Sequence, residues 1–557
     1  MGYLLKCKAG GYIVPVSVEP VDNNLVLTFP FNRAMLTEVK AMERNPGGGW
    51  DPVRKVWVVA NSRRNLFALD ILVGGDMIAR YDADINFTQH VDGFWSHQDR
   101  MKAFIDARHR CILAAEMRTG KTRPTLKAFY DSKWAECWWV APKSALAGLP
   151  RELKKFPLPN GKELRTFSYE GFKREVKNTS HVPGFLVFDE CQKLKTPTSE
   201  RSEMAQELSD TMAGAYGGDE FVIGLSGTPA PKDPSDWWNI CEIIQPGFIL
   251  EGDLNRFKRR YGVWEQREGA VGQMYWHLVH WNIDEIDRMY NRLKPLVQVN
   301  LKKDCLDLPP IRYEIREFEP SVELMQVART VLDTETHALT AINKLRQLSD
   351  GFMYVKEYDE EKNRTNRHSE YVGSPKEVGL KEELDNHWDT GRLIVYAGFQ
   401  GSVDIITKIA TEKGWWVLQA DGRAWQVFKP NSEGASEHGD IDSYSVDFLL
   451  GEMDGSVNTR TVSNLVFVAQ TDAAGTGLEL SASPTTIYYS NSNNGEGRMQ
   501  SEARAHSNNM DKERGLTVID FIHLPVDKKI RDSLLNKKEL QGISMGELKK
   551  AFAREAQ

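Results

Sequence analysis

Short apolar runs, each the length of one buried strand and each followed by a helix-compatible stretch, recur in two series along this 557-residue chain. In the first series they are 111–115, 137–141, 185–188 and 221–225; in the second, 393–397, 415–419, 465–469, 486–489 and 516–521. A run that is apolar at nearly every residue, rather than at every second one, suits a strand covered on both faces. Strands alternating with helices pair in parallel, with helices packed on either side. The pattern therefore predicts an α/β chain with two tandem parallel-sheet domains, 89–310 and 376–557. The intervening 311–375 reads as a linker with a helical segment.

Residues 1–88 have a different texture. Apolar and polar residues alternate at 24–29, a helix-compatible stretch covers 34–42, and Asn45-Pro-Gly-Gly-Gly49 makes a turn before the strand-like 55–59. These signals predict a small α+β module. Two charged or turn-rich stretches interrupt the later rhythm: 351–374 reads as an exposed loop, and 431–440 as a flexible insertion.

Composition narrows the function classes only a little. With 41% hydrophobic and 27% charged residues, the chain has the make-up of a water-soluble globular protein. A formal net charge of −7 neither demands nor excludes a nucleic-acid partner, because a binding track is a local feature. The absence of a long unbroken apolar run predicts no membrane span, and the N-terminal residues predict no secretory leader. The six cysteines, at 7, 111, 137, 191, 241 and 305, are scattered without a C-x-x-C pair. They predict reduced core thiols, a reducing cytoplasm and no structural metal.

Chemistry concentrates where strands of the first series end. Ala115-Glu-Met-Arg-Thr-Gly-Lys-Thr122 joins an apolar run to a helix-compatible stretch. Backbone N–H groups at a helix start, a lysine point charge and a small hydroxyl are what a phosphate with bound magnesium requires, and Gly120, Lys121 and Thr122 supply them. Phe185-Leu-Val-Phe-Asp-Glu190 puts two carboxylates at a strand end, the side on which parallel sheets bind ligands. Asp189 suits the metal, and Glu190 suits orienting and deprotonating an attacking water.

Taken in order, these segments resemble the motifs of the Swi/Snf-type translocases of helicase superfamily two. His97-Gln98 resembles the glutamine motif that reads adenine. Glu116-Met117 with Gly120-Lys-Thr122 resembles E-M-G-L-G-K-T, and Ala141-Pro-Lys-Ser144 the segment that touches the DNA backbone through Pro142 and Lys143. Asp189-Glu-Cys-Gln-Lys-Leu-Lys195 resembles D-E-A-H-x-x-K. Leu225-Ser-Gly-Thr-Pro229, carrying Ser226 and Thr228, resembles the motif coupling hydrolysis to DNA movement. Asn300-Leu-Lys-Lys-Asp304 followed by Leu308-Pro-Pro310 is similar to R-R-x-K-x-D…L-P.

In the second series, 393–397 and Asp421-Gly422 resemble the opening segments of the second lobe. Ala473-Ala-Gly-Thr-Gly-Leu-Glu-Leu480 resembles A-G-G-x-G-L-N-L, with Thr476 at a DNA-coupling position and Gly477 at an ATP-binding one. Gln500-Ser-Glu-Ala-Arg-Ala-His506 resembles Q-A-x-D-R-x-H. The resemblance covers about 90–525 and implies two RecA-like lobes that bind ATP and Mg²⁺ in the cleft between them. It further implies Arg504 stabilising the transition state from the opposite lobe, and movement along duplex, forked or branched DNA gripped by its phosphates.

Three departures stand out. Ala115 replaces the first loop glycine, and Arg118 replaces a second. The family's second arginine after the histidine is Ser507, which leaves Arg498 and Arg514 as nearby cations to compensate. The compact layout is most similar to phage and bacterial members. Residues 25–69, with Phe29-Pro-Phe-Asn32, Trp50-Asp51 and Lys55-Val-Trp57, resemble the HARP module of annealing helicases, with Arg54, Lys55, Arg63 and Arg64 as candidate DNA contacts. Trp50 and Trp57 read as core more readily than as base platforms. The basic stretches 151–174 and 256–260 are candidate parts of a DNA track. Two other readings stay open: a strand-separating DNA or RNA helicase, and a DNA-binding scaffold whose ATPase has decayed through Arg118 and Ser507.

Overall fold

In a computed structural model the chain forms two compact units, 1–305 and 306–542. The structure describes residues 3–535 apart from 10, 43, 62–64, 66–67, 70–71, 73–89, 147, 228–233, 247, 250, 269–271, 336, 360–363, 432–445, 455–460, 472–477, 493 and 508–509. The expected fold class is what is found: α/β, with two tandem RecA-like parallel-sheet domains preceded by a small α+β module.

The N-terminal module is a five-stranded sheet of β1 (Tyr3–Ala9), β2 (Tyr12–Val21), β3 (Asn24–Thr28), β4 (Gly49–Asp51) and β5 (Val56–Ala60), in the order β1-β2-β3-β5-β4. All its pairings are antiparallel. One helix, Arg33–Ala41, packs on it. Asn32 starts that helix by accepting the Met35 N–H at 2.9 Å, and Met35 and Val39, four residues apart, turn into the core. On a neighbouring face of the same helix, Glu38 meets Arg260 in a two-pronged pair, Oε1 to Nη2 at 2.5 Å and Oε2 to Nη1 at 3.1 Å. Arg260 also holds Glu251 at 2.8 Å, so this module is tied to the α/β part of its own unit.

That part is a six-stranded, wholly parallel sheet: β6 (Arg110–Ala115), β7 (Glu136–Ala141), β8 (Glu163–Ser168), β9 (Phe185–Asp189), β10 (Phe221–Ser226) and, after the antiparallel hairpin β11 (Gly262–Glu268) and β12 (Met274–Trp281), β13 (Val297–Asn300). The strand order is β13-β6-β10-β9-β7-β8. Alternate residues feed two separate cores. Ile112, Ala114, Trp138 and Val140 face one, and Cys111, Leu113, Trp139 and Ala141 face the other. This is the two-sided burial that continuous apolar runs imply.

In the second unit, β14 (Ile311–Glu317), the hairpin β15 (Phe352–Asp359) and β16 (Arg364–Tyr371), β17 (Arg392–Ala397), β18 (Trp416–Ala420), β19 (Trp425–Phe428), β20 (Leu465–Gln470), β21 (Thr485–Tyr488) and β22 (Leu516–Ile522) follow in sequence. Seven of these form a sheet in the order β14-β22-β21-β17-β20-β18-β19, parallel except for β19. Two expectations are corrected. The stretch 311–375 is no linker, because β14 is an edge strand of the second sheet and the rest belongs to that unit. The charged stretch 351–374, expected as a loop, is the β15–β16 hairpin, whose cross-strand ladder pays no attention to how polar its side chains are. The expected insertion 431–440 lies, from 432 onward, outside the described residues.

Five of the cysteines are buried, Cys305 is partly so, and all six are free thiols. Among the described residues no helix is long and apolar enough to cross a membrane.

Candidate active site

Because the first sheet is wholly parallel, its strands end along one edge. Register places Ser226 beside Ala114, Leu225 beside Asp189, Asn300 beside Ala115 and Val140 beside Phe188. The loop 115–122, the Asp189–Glu190 pair, Ser226 and the exposed Lys143 after Pro142 therefore leave the sheet on the same side. Thr228, the next coupling residue, lies outside the described residues.

The loop is held from several directions. The Glu116 N–H donates to Asn300 O at 3.0 Å, and the Glu116 carboxylate accepts the Lys302 N–H at 2.6 Å. His97 Nε2 donates to Thr119 O at 2.8 Å, and the Gln98 amide donates to Gly120 O at 3.1 Å while its oxygen accepts the Trp95 N–H at 3.0 Å. Gly120 has φ of +74°, and a Cβ there would lie 2.2 Å from Gln98 Nε2. Glycine takes this conformation without strain, and any side chain there would also have to displace the Gln98 amide. Arg118, where the motif expects glycine, also takes a left-handed conformation at φ +66°. For an L-residue that costs about 1–2 kcal/mol. The loop thus keeps the backbone path a glycine would permit, with a long cation attached.

The helix Thr122–Asp131 starts at the end of this loop, so its first-turn N–H groups point out of the helix end. Lys121 folds back over the loop, its Nζ donating to Ala115 O at 2.7 Å. Facing it, burial and the neighbouring Glu190 charge raise the pKa of Asp189, while the Lys121 ammonium pulls it down. A carboxylate pressed this way, next to one lysine and one hydroxyl-bearing helix start, has the donor chemistry for a hydrated divalent cation. Asp189 is also positioned by its own backbone, its carbonyl accepting the Tyr169 hydroxyl at 2.9 Å.

Glu190 too has a left-handed backbone, at φ +55°, which turns the chain sharply off β9 and into the short 3₁₀ turn Cys191–Leu194. That turn brings Gln192 back alongside it. Gln192 Nε2 donates to Glu190 Oε2 at 2.6 Å, and Gln192 Oε1 accepts the Ser226 hydroxyl at 2.6 Å. Ser226, Gln192 and Glu190 are all buried and form one hydrogen-bonded chain from the end of β10 to the Glu190 carboxylate. Sequence reasoning gave Gln192 no role. The link depends on the backbone turn at Glu190, which residue identity alone does not announce.

In the second unit, Arg504 is buried in the last turn of the helix Gly495–Ala505, and its carbonyl accepts the Leu480 N–H at 2.9 Å. Thr476 and Gly477 lie outside the described residues. Arg498 is held within its own unit. It donates to Asp520 at 2.6 and 3.1 Å, to Glu502 at 2.7 Å and to Asn491 at 2.5 Å, and lies 3.4 Å from the centre of the Tyr488 ring. Arg514 is exposed.

The basic stretches divide. Within 151–174, Lys162 donates to the Ser132 and Trp134 carbonyls, Arg165 pairs with Glu136 and Glu175, and Lys173 pairs with Glu170 and Glu200, while Lys154, Lys155 and Arg174 are exposed. Within 256–260, Arg260 is taken up by Glu38 and Glu251, while Arg256 and Arg259 are exposed. At the β4–β5 turn Arg54 and Lys55 are exposed, and Arg63 and Arg64 lie outside the described residues. Trp57 is partly buried against the module core, whereas Trp50, its cross-strand partner at 5.6 Å between ring centres, is half exposed. The expectation of two core tryptophans is met by Trp57 alone, because Trp50 lies on the short edge strand β4.

No family model matches the chain. It is similar to the ISWI chromatin-remodeling complex ATPase CHR11 of Arabidopsis thaliana, with 20% identity over 72% of this chain and 38% of the relative. It is similar also to chromodomain-helicase-DNA-binding protein 1-like of Danio rerio, with 21% identity over 71% and 38%. A solved structure, the Sulfolobus solfataricus SWI2/SNF2 ATPase core in complex with dsDNA, aligns with 82% of this chain and 94% of its own at 18% identity, with a TM-score of 0.33. The chain spans well under half the length of these curated relatives, but the matched share exceeds either of its two units, so the sequence similarity reaches into both. That similarity, with the ordered motifs, supports placing the core of this chain in the Swi2/Snf2-type ATPase superfamily.

Proposed function

We propose that this protein is a DNA-dependent ATPase that moves along duplex DNA. The observation that carries the reading is the meeting, at one sheet edge, of the Lys121–Thr122 loop, the Asp189–Glu190 pair and the Ser226–Gln192–Glu190 chain. Lys121 and the N–H groups at the start of its helix hold the phosphates, and Thr122 and Asp189 hold Mg²⁺. The metal, when bound, neutralises charge on the phosphate oxygens. Glu190 takes the proton of the attacking water, with its second oxygen steadied by Gln192. Arg504 is the arginine we assign to transition-state charge, Gln98 and Gly477 contribute to nucleotide binding, and Thr476 and Thr228 to coupling.

The chain Ser226–Gln192–Glu190 gives DNA movement a physical handle on hydrolysis: a shift at the end of β10 changes how the base is held. Pro142 and Lys143 at the same edge, and Arg54 and Lys55 on the N-terminal module, suit phosphate contacts that ignore base sequence. We read the module as DNA-engaging and the activity as branch remodelling or annealing, in a reducing cytoplasm. The test is steady-state ATP hydrolysis with and without duplex DNA, beside Glu190→Gln. DNA-stimulated turnover that falls about 10²–10⁴-fold in the variant is the expected result. DNA binding without turnover in the unaltered chain would overturn the motor and leave the scaffold.

A further inference from the structure

Of the chain's fifteen tryptophans, Trp276 is the most exposed, at 62%, and it stands between Met274 at 59% and Tyr275 at 47%. All three lie on β12, at the free end of the β11–β12 hairpin. A two-stranded hairpin is marginal by itself in water and has to be anchored at its base. Here the base is anchored: Trp264 Nε1 donates to Lys258 O at 3.0 Å, and Trp281 packs edge-on against Phe257 with ring centres 6.3 Å apart. Folding uses the rings at the base and leaves those near the tip in water, where a run of three large apolar side chains is costly unless something covers it.

Register sorts the tip into two faces. Trp276 pairs with Gln266 and Met274 with Glu268 on one, while Tyr275 pairs with Arg267 on the other. Alternate residues of an extended strand are spaced by about 6.8 Å, twice the ~3.4 Å rise of stacked bases. Met274 and Trp276 therefore border a slot of the thickness of one base. On the opposite face Tyr275 lies across the ladder from Arg267, with its ring edge-on to His277 at 6.4 Å, a set of residue types that suits stacking with a phosphate nearby. Arg259, exposed on the helix Leu254–Tyr261 that leads directly into β11, adds positive charge at the root of the hairpin, beside Arg256, which is paired with Asp253 at 3.2 Å.

We propose that the β11–β12 hairpin engages unpaired bases of DNA, such as those at a fork or a single-stranded arm, through Trp276, Met274 and Tyr275. This rests on the DNA-motor reading and adds to it a means of telling branched DNA from plain duplex. A paired base in a duplex keeps its faces stacked on its neighbours, so the slot has nothing to take there.

The test uses the full chain, with fluorescence-anisotropy binding to a fork bearing single-stranded arms and to a blunt duplex of equal length. Duplex-stimulated ATP hydrolysis is measured in parallel. The Tyr275→Ala, Trp276→Ala double variant is expected to lose at least about tenfold in affinity for the fork. Its affinity for blunt duplex and its duplex-stimulated turnover should stay within about twofold, and Trp276→Phe, which keeps a ring, should recover most of the fork affinity. Equal losses on fork and duplex would overturn the proposal, since the rings would then serve a general contact. So would unchanged binding to both, which would hand the patch to a protein partner. Failure of the motor reading shows separately, as absence of DNA-stimulated turnover in the unaltered chain whatever the fork preference.

Discussion

Two arginines on one helix of the second unit, Arg498 and Arg504, differ as sharply as the sites themselves. Both are cations in or next to a motif, and both are buried. Arg498 is enclosed by Asp520, Glu502, Asn491 and the Tyr488 ring, and its pKa is driven up by these neighbours against the cost of burial. It clamps the helix to β21 and β22. At the edge of the first sheet, by contrast, the polar residues of the motifs bind one another or the loop backbone, and Lys121 and Asp189 face each other across the start of a helix. A cation in the right stretch of sequence can thus be structural, as Arg498 is with its guanidinium enclosed by two carboxylates, an amide and a ring.

The two arginines can be told apart by what their loss does. Arg504→Gln is expected to lower kcat per folded molecule about 10³-fold or more, the behaviour of an arginine that acts on developing phosphate charge. Arg498→Leu is expected to cost about 3 kcal/mol in urea unfolding, because buried Glu502 loses its guanidinium and Asp520 keeps only the longer pair with Arg531 at 3.3 Å. Its kcat per folded molecule should change less than that of Arg504→Gln. The reverse pattern, a stable but inactive Arg498→Leu, would transfer the catalytic assignment to Arg498.

That contrast also marks what could be read in advance. The runs at 111–115, 137–141, 185–188 and 221–225 announced β6, β7, β9 and β10, because a strand buried on both faces has to be apolar throughout. The edge strands escaped. No residue of β8 or β14 is fully buried, so their sequences, ELRTFS and IRYEIRE, carry too little apolar content to look like strands of a parallel sheet. In the site, residues whose identity is their chemistry were legible: Lys121, Thr122, Asp189, Glu190. Gln192 was not, since its hydrogen bonds arise from the left-handed turn at Glu190, and the setting of Arg498 was left open because its partners include the distant Asp520.

The hydrogen-bonded chain through Gln192 makes a smaller and more specific demand. In Ser226→Ala the Gln192 amide loses its outer anchor, while Glu190 keeps its inner contact. One hydrogen bond of about 0.5–1.5 kcal/mol corresponds to roughly 2- to 12-fold in rate. The expected loss falls mainly on the DNA-stimulated rate, so the ratio of stimulated to basal hydrolysis is the quantity to measure. An equal fall in both rates would mean that Ser226 only positions the base and carries no signal from DNA.

Arg118→Gly has the smallest expected effect and the sharpest meaning for the phosphate loop. Arg118 holds a left-handed backbone that glycine adopts without steric cost, so the substitution removes about 1–2 kcal/mol of strain. Against this, glycine gives the unfolded chain more freedom, worth about 0.4–1 kcal/mol. The net change in stability is therefore a gain of between about 0 and 1.6 kcal/mol, visible as at most a small rise in the unfolding midpoint. If the guanidinium also helps to hold phosphate, KM for ATP rises several-fold at the same time. A higher midpoint with unchanged KM would make Arg118 a tolerated substitute for glycine, whereas a raised KM would make it a phosphate ligand that the loop keeps strained for the sake of its charge.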